Sequence, residues 1–277
     1  MSEHALQYER QLQISTEAPS IEADLRASSQ KAMILCLGGK GGVGKTTAAT
    51  QIADLGAEAN NVLAIDADTG NEHFFQAFMR DDKQRNGIFI QRQPEIRAIK
   101  RRLRAEDHVG RIDPTACQDM LEVVLEAPER IVVTDFPAGD TATTQRCAEI
   151  IVETCRDANV RLITIVVVGA MDPTAISVLT DLYPLLKDCD RAVVARNTAQ
   201  AVNFHALDAS SIFAQINALP NFRTTEIEKI GERLVEAHRV YNIPWHELAT
   251  TAPMRIRVEA RRLRRNFHAA WREAVRP

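Results

Sequence analysis

The sequence lacks the features that mark secreted, disulfide-stabilised or membrane-spanning proteins. Its five cysteines include no Cys-x-x-Cys pair and have no histidine partner at zinc-finger spacing, which argues against a disulfide framework and a zinc site. The longest apolar run, residues 162–171, is about half as long as a transmembrane helix. The polar, acidic N-terminus has neither the basic nor the apolar region of a signal peptide. We therefore expect a cytoplasmic protein with buried or idle thiols.

Net charge is also small, at −3, but it is unevenly distributed. Residues 1–30 carry −3, whereas residues 80–104 and 254–277 each carry +6, which leaves −12 for the rest of the chain. An acidic body that bears two basic segments indicates a polyanionic partner, which the net charge alone would hide.

Strand and helix patterns alternate from residue 31 onward. The apolar runs are continuous, as in strands that are buried on both faces of a parallel sheet. A chain of 277 residues with 45% apolar residues can bury the core of one large domain. We expect an α/β fold with a doubly wound, mostly parallel sheet. The expected strands are residues 32–37, 62–65, 130–134, 162–168 and 192–195, and the expected helices are residues 46–60, 143–157, 173–186 and 225–241.

One segment carries a complete phosphate-binding motif. Residues 39–46, which we call the P-loop, read Gly-Lys-Gly-Gly-Val-Gly-Lys-Thr and fit G-x-x-x-x-G-K-[ST] between an expected strand and an expected helix. The glycines allow backbone N–H groups to surround phosphates at a helix N-terminus. Lys45 is expected to neutralise the β- and γ-phosphates, and Thr46 to bind Mg²⁺. The motif therefore predicts a P-loop NTPase fold that binds ATP with Mg²⁺.

The P-loop contains a second lysine, Lys40, five residues before Lys45. Residues 40–47, Lys-Gly-Gly-Val-Gly-Lys-Thr-Thr, resemble the deviant Walker A motif K-G-G-x-G-K-[ST]-T of the ParA/MinD family of ATPases. The resemblance is firm over residues 32–140 and thin beyond residue 220. It implies that Lys40 reaches the phosphates of a partner protomer, so that ATP pairs two protomers. A solvated loop lysine is the alternative.

Two aspartates, Asp66 and Asp68, follow the expected second strand. The ParA/MinD family carries D-x-D at this place, which implies that Asp68 orients the attacking water or acts as its base while Asp66 supports the magnesium shell. The family pattern continues with a proline that is absent here, and Asn71 comes one position early, which leaves the role of Asn71 open. Ordinary acidic residues at a strand end are the alternative.

A third carboxylate, Asp135, ends the expected strand at residues 130–134. An aspartate in this position is the Walker B arrangement, which places it beside Mg²⁺ and its waters. Asp135 and Pro137 match the D-x-P of the resembled family, and Gly139 is expected to be the hinge of a loop that senses the γ-phosphate. The expected metal contacts are Thr46, Asp66 and Asp135, and the expected catalytic residues are Lys40, Lys45 and Asp68.

Asn197 follows the expected strand at residues 192–195. The resemblance implies that it contacts adenine, whereas ordinary turn chemistry is the alternative. The expected nucleotide contacts are Gly39, Lys40, Gly41, Gly42, Val43, Gly44, Lys45, Thr46, Thr47 and Asn197.

Two basic segments are candidates for contact with nucleic acid. Residues 97–104 carry five positive charges, and such a patch neutralises DNA phosphates without reading bases. Residues 254–277 form an expected helix with an apolar stripe, for which docking onto the domain, nonspecific DNA binding and membrane-surface binding are the alternatives. Arginine is abundant in both segments, and its planar guanidinium group binds a phosphate through two hydrogen bonds, which favours DNA over lipid as the partner. The stripe consists of Ala260, Leu263, Phe267, Trp271 and Ala274. The expected DNA contacts are Arg97, Lys100, Arg101, Arg102, Arg104, Arg261, Arg262, Arg264 and Arg265.

These features divide the chain into a polar extension (residues 1–30), a P-loop ATPase domain (31–253) and a basic amphipathic helix (254–277). The resemblance implies a weak ATPase that acts as an ATP-dependent homodimeric switch and positions DNA such as a plasmid, with an adaptor protein that stimulates hydrolysis. We expect it in the cytoplasm, associated with the nucleoid. A membrane-associated positioner and a metabolic ATP-dependent ligase on the same scaffold are the alternatives. An iron–sulfur carrier is disfavoured because paired cysteines are missing.

Overall fold

The structure is a computed structural model that describes residues 30–68, 70–81, 89–101, 117–139, 141–170, 172–199 and 202–276. Nearly all of the N-terminal extension, together with Arg102 and Arg104 of the first basic segment, lies outside the described residues.

A parallel sheet of seven strands forms the centre of the fold, in the order β5-β2-β6-β1-β7-β8-β9. All six pairs of neighbouring strands are parallel, and the inner strands are buried along most of their length, as their continuous apolar runs predict. The strands are β1 (Lys31–Leu37), β2 (Val62–Asp66), β5 (Ile96–Lys100), β6 (Ile131–Asp135), β7 (Val160–Gly169), β8 (Arg191–Asn197) and β9 (Phe222–Ile227). A separate antiparallel pair consists of β3 (Met79–Asp81) and β4 (Phe89–Gln91).

Helices cover both faces of the sheet, and each face has its own hydrophobic cluster. One face is covered by α3 (Gln118–Glu126), α4 (Thr141–Asp157), α5 (Ala175–Asp181), α6 (Tyr183–Asp188), α7 (His205–Asp208) and α8 (Ser211–Asn217). The other is covered by α1 (Lys45–Gly56), α2 (His73–Phe78), α9 (Glu232–Val235), a π-helical turn (Glu236–Val240), α10 (Trp245–Thr250) and α11 (Met254–Val275). The doubly wound α/β fold is therefore confirmed. No helix of the described chain is long and apolar enough to cross a bilayer.

Two of the expected helices were wrong in part. The helix expected over residues 173–186 is two helices, α5 and α6, which meet at Leu182 just before Pro184, and a proline cannot continue the backbone bonding of a preceding helix. The helix expected over residues 225–241 begins too early, because Thr225 lies in β9, whose backbone pairs with β8.

The C-terminal basic segment forms α11, whose apolar stripe is docked onto the domain. All five residues of the stripe are buried, with Trp271 only 1% exposed and Phe267 4% exposed. Docking of the stripe is one of the three alternatives that its pattern allows. In this arrangement neither aromatic ring is available to enter a lipid surface.

Candidate functional site

The P-loop connects β1 to α1 at the carboxyl edge of the central strands. Gly42 and Gly44 have φ values of 82° and 106°, a region that side chains other than glycine rarely adopt. A Cβ on Gly44 would also lie 2.6 Å from Nδ2 of Asn197. The local sequence therefore permits a tight loop whose backbone faces the start of α1, which is the geometry that binds phosphate.

Lys45 begins α1 and is only 6% exposed. Its Nζ donates to the backbone oxygen of Lys40 over 3.3 Å. Burial lowers the pKa of Lys45, and the nearby charges of Asp135, Asp68 and Asp172 partly oppose this effect. An ammonium that is desolvated and surrounded by carboxylates at the base of a P-loop has the position to neutralise a bound polyphosphate.

Thr46 and Asp135 meet at the same edge. The Thr46 hydroxyl donates to Oδ2 of Asp135 over 2.6 Å, while Oδ1 of Asp135 is buried without a hydrogen-bond partner among the described residues. Burial raises the pKa of Asp135 to about 7, despite the Thr46 hydrogen bond, which lowers it. A hydroxyl and a buried carboxylate with an oxygen to spare fit the hard oxygen ligands that Mg²⁺ prefers.

The described chain contains no group of three or more His, Cys, Asp or Glu side chains that could hold a metal alone. This is compatible with Mg²⁺, which retains waters and takes phosphate oxygens as ligands besides one or two carboxylates. The ion would thus depend on bound nucleotide as well as on Thr46 and Asp135.

Asp66 is the in-register neighbour of Asp135 on the adjacent strand. Its Oδ1 accepts from the N–H of Asp68 over 3.1 Å and its Oδ2 from the N–H of Phe75 over 2.8 Å. Burial raises the pKa of Asp66 to about 6, and these backbone hydrogen bonds lower it. Both oxygens of Asp66 therefore brace the segment that leads into α2, while its role in a magnesium shell stays a prediction.

Asp68 lies closer to solvent than Asp66 and contacts its own loop. Its Oδ1 accepts from the N–H groups of Gly70 and Asn71, each over 3.2 Å. Asp68, Asn71 and His73 all line the main cavity beside the P-loop. The structure thus brings Asp68 and the P-loop to one space, where Oδ2 has no hydrogen bond to another described residue.

This main cavity has a volume of about 430 Å³. The P-loop and Asp68 line this cavity. Sequence reasoning missed the rest of the lining, namely the apolar Ile227, Ile230, Val235 and Trp245 and the polar Glu228, His238 and Arg239. Ile227, Ile230 and Val235 were missed because the sequence there was assigned to a helix over residues 225–241, whereas Ile227 ends β9. Apolar groups with a few polar groups among them, beside a phosphate-binding loop, have the character of a nucleobase site.

Asn197 ends β8 and holds the P-loop from the side. Its Nδ2 donates to the backbone oxygen of Val43 over 2.7 Å, and its Oδ1 accepts from the N–H of Ala199 over 3.0 Å. Asn197 also lines the main cavity. The adenine contact stays a prediction, and the observed bonds give Asn197 a positioning function for the loop.

Several residues expected to contact DNA are engaged within the protein. Arg97 binds Glu129 with two hydrogen bonds of 2.6 and 2.9 Å, and Lys100 lies 2.9 Å from Glu72. Arg264 binds the buried Asp54 over 2.6 Å, and Nε of Arg261 donates to the backbone oxygen of Ala249 over 2.7 Å.

Three other residues of the expected set remain open to solvent. Arg101, Arg262 and Arg265 are exposed and have no ion pair in the part of the chain that the structure describes. Arg262 and Arg265 project from α11, one turn apart. The basic residues thus divide into an internal set, which is bonded to other parts of the protein, and an external set, which is exposed and has no ion pair within the described chain; their sequence did not distinguish the two.

Comparison with protein families and solved structures agrees with this site. A family model described as the CobQ/CobB/MinD/ParA nucleotide binding domain matches residues 34–259. No curated protein sequence matches the chain. The fold is similar to that of a ParA family ATPase from Chlorobium tepidum TLS, with 12% identity and a TM-score of 0.55 over 87% of this chain and 98% of that chain.

Two archaeal structures are also similar. The cell division ATPase MinD of Pyrococcus furiosus has 16% identity and a TM-score of 0.50 over 87% of this chain and 99% of that chain. The septum site-determining protein MinD of Pyrococcus horikoshii OT3, in complex with Mg-ADP, has 16% identity and a TM-score of 0.49 over 86% and 96%. At such identities the likeness to these structures shows the fold alone.

Proposed function

The chain belongs to the CobQ/CobB/MinD/ParA family of nucleotide-binding domains, and from this premise we propose that it is an ATP-dependent switch. It binds ATP with Mg²⁺ in the main cavity, pairs two protomers in the ATP state and separates them after slow hydrolysis. The observation that carries the proposal is the convergence of Lys45, Thr46 and Asp135 at the base of the P-loop.

Each of these residues supports one part of the reaction. Lys45 and the loop N–H groups hold and neutralise the phosphates, and Thr46 with Asp135 holds Mg²⁺, which supplies charge neutralisation at the transferred phosphoryl group. Asp68 lines the same cavity and orients the attacking water. Because its N–H partners Gly70 and Asn71 belong to the segment before α2, movement of that segment would move Asp68 as well.

Lys40 is exposed on the rim of the P-loop, unlike Lys45. An exposed ammonium at this place can reach phosphates held by a second protomer. Its contact would therefore depend on the nucleotide that is bound to that protomer. This supports the ATP-dependent homodimer that the motif implies, in which Lys40 completes the partner's site.

The partner that fits the external basic residues is the phosphate backbone of DNA. Arg262 and Arg265 project from α11 into solvent, and their guanidinium groups bind phosphate without sequence preference. Pairing of two protomers doubles the number of such contacts, which makes DNA binding depend on ATP. Hydrolysis would then release the protein, and an adaptor protein that stimulates hydrolysis would set where release occurs.

Binding of ATP is tested first, with a fluorescent ATP analogue titrated against the wild type and Lys45→Ala in the presence and absence of Mg²⁺. We expect Lys45→Ala to lose most of the affinity, since a buried phosphate contact is removed. Lys187→Ala, an exposed lysine on α6, is the matched control and should bind like the wild type. Normal affinity and turnover in Lys45→Ala would refute the assignment.

DNA binding is tested by retention of a random-sequence duplex with ATP, with ADP and without nucleotide, over a series of salt concentrations. We expect retention only with ATP, a steep loss with salt, and no retention by Lys40→Ala. Arg262→Gln with Arg265→Gln should weaken retention without changing ATP affinity. Absence of retention in every state would remove DNA from the proposal and leave the membrane and small-substrate alternatives.

A further inference from the structure

A fourth carboxylate, Asp172, faces the P-loop from the side opposite to Asp66 and Asp135. It belongs to the connection between β7 and α5, and β7 is the neighbour of β1 on the side away from β6. This connection is packed tightly against the loop, because a Cβ on Gly39 would lie 2.2 Å from Cγ2 of Val178 and 2.9 Å from Oγ1 of Thr174. The position of Asp172 relative to the P-loop is therefore fixed by packing.

The two oxygens of Asp172 have different surroundings. Oδ1 accepts from the N–H of Thr174 over 2.9 Å and from its hydroxyl over 2.7 Å. Oδ2 is buried, and no described residue donates a hydrogen bond to it. A buried carboxylate oxygen without a donor costs free energy, so the arrangement favours any cation or donor that can reach Oδ2.

A small cavity of about 50 Å³ lies in front of Asp172, and Lys40 lines it together with Gly41, Gly42 and Asn197. This volume holds a few water molecules or one ammonium group. Lys40 is exposed and its side chain ammonium has no hydrogen-bond acceptor among the described residues. An unpartnered carboxylate oxygen and an unpartnered ammonium thus border one small space.

The charge of Asp172 influences the pKa of Lys45 in the P-loop. It is one of three carboxylates that oppose the burial-induced lowering of the pKa of Lys45, after Asp135 and Asp68. Asp135 and Asp68 lie on the side where Mg²⁺ would bind, so the positive charge of the ion would act on both carboxylates. Asp172 lies on the other side, where Lys40 lines the same small cavity.

We propose that Asp172 is a positioning residue that holds the Lys40 ammonium of its own chain in the resting state and thereby sets the ATP concentration at which two protomers pair. This inference rests on the proposed function of Lys40. To contact the phosphates of a partner, Lys40 must leave Asp172, and the free energy of that ion pair opposes dimerisation. The carboxylate therefore keeps the switch off until enough ATP is bound.

The test uses the full chain and the variant Asp172→Asn, in which the amide oxygen still accepts from Thr174. Asp188→Asn is the matched control, because it removes the same charge from an exposed residue at the end of α6, at the opposite edge of the sheet. Dimer formation is measured by light scattering across a range of ATP concentrations. We expect Asp172→Asn to dimerise at about 3- to 10-fold lower ATP concentration, and Asp188→Asn to behave like the wild type.

A second measurement follows Lys40 directly in the nucleotide-free protein. The rate at which an activated ester acylates Lys40 is obtained from peptide masses, with the exposed Lys187 as the internal reference. An ammonium that is held by a carboxylate is acylated slowly, so we expect the rate at Lys40 to rise about 3-fold or more in Asp172→Asn while Lys187 is unchanged.

Two outcomes would overturn the inference. If Asp172→Asn required more ATP to dimerise, Asp172 would receive the lysine of the partner protomer and not its own. If the acylation of Lys40 were unchanged, Asp172 would act on another group. Failure of the wild type to bind ATP or to dimerise at all would instead refute the proposed function, so the two failures are distinguishable.

Discussion

Nε2 of His268, on α11, lies 2.8 Å from Oδ2 of Asp54, on α1. Nδ1 of the same ring lies 3.2 Å from Glu58, also on α1. Because each ring nitrogen faces a carboxylate oxygen, both must donate, and the imidazole carries a positive charge. The C-terminal helix is thus joined to the helix that follows the P-loop by charge as well as by its apolar stripe.

This contact predicts how stability depends on pH. His268 is buried, which alone would lower its pKa, but its hydrogen bonds to Asp54 and Glu58 raise the pKa above the ordinary value of 6.5. A raised pKa means that the folded state favours the proton, so the stabilisation is complete below about pH 6.5 and is lost as pH rises through the folded-state value. The pKa of the buried His238 is lowered to about 4, so His238 is neutral throughout this alkaline window.

We therefore expect the wild type to lose more stability than His268→Gln as pH rises above about 6.5. The measurement is urea denaturation at several pH values. The glutamine variant retains hydrogen bonding but has no titrating ring. Parallel stability curves for the two proteins would show that His268 is not charged in the folded state.

The Arg264–Asp54 pair predicts that two arginines of α11, Arg264 and Arg262, differ in how much they contribute to the stability of the fold. Asp54 is fully buried, and Arg264 is 19% exposed at the side chain. Removal of one partner from a buried pair leaves a charge without compensation. Since His268 remains beside Asp54, we expect Arg264→Leu to destabilise the fold by about 2–3 kcal/mol, and Arg262→Leu, which removes the same charge from an exposed position, to change stability by less than about 0.5 kcal/mol.

Thermal and urea denaturation of the two leucine variants check this prediction. Retention of a DNA duplex with ATP measures the other expected effect, on DNA binding. Arg262→Leu should weaken duplex retention while it keeps its stability. Equal destabilisation by both substitutions would mean that the Arg264–Asp54 pair contributes nothing measurable.

Sequence patterns predicted those features that depend on residues close to one another in the chain. The P-loop motif is a run of eight residues, and its position between a strand and a helix follows from the hydrophobic pattern on each side. Asp66 and Asp135 were both expected beside Mg²⁺, Asp66 from the family resemblance and Asp135 as an aspartate that ends an apolar strand; the structure places them in register on adjacent strands. Five of the seven strands of the sheet, together with the P-loop, were therefore predictable from the sequence.

The parts that were missed depend on contacts between distant residues. Strand β5 was read as an exposed basic patch because five positive charges lie within residues 97–104 and only three residues of the strand, Ile96, Ala98 and Ile99, are apolar. Those charges are paired with Glu129 and Glu72, which lie 32 and 28 positions away in the chain. The partners of Arg264 and His268 on α1 are more than 200 positions away. No periodicity in α11 separates arginines that bind the domain from arginines that face solvent.

Gly39 is predicted to be sterically required in the P-loop. A Cβ at this residue would lie 2.2 Å from Cγ2 of Val178, so Gly39→Ala should shift the loop and destabilise the fold by about 1–3 kcal/mol. Gly41→Ala is the control, since the nearest atom to its Cβ, on Ala138, is 4.0 Å away. Val178→Ala should partly restore the melting temperature of Gly39→Ala, and failure of this rescue would place the obstruction elsewhere.

Asp135 is predicted to reduce stability in the absence of its ligands. Burial raises its pKa to about 7 from an ordinary value of 3.8. For an acid, a raised pKa means that the folded state favours the neutral form, so the contribution of Asp135 to stability falls as pH rises from about 4 to about 7 and is constant above that range. At about pH 8 the folded protein holds a buried charge with one unpartnered oxygen, at a cost on the order of a few kcal/mol.

Asp135→Asn removes the charge and keeps an oxygen to accept from Thr46. We therefore expect this variant, without nucleotide or Mg²⁺, to melt at a higher temperature than the wild type at about pH 8. Addition of Mg²⁺ and ATP should raise the melting temperature of the wild type and leave that of the variant nearly unchanged, because the magnesium ligand is gone. A variant that melts lower without ligand would show that the Asp135 charge is compensated in the fold, whereas an equal shift with ligand would exclude Asp135 from the magnesium site.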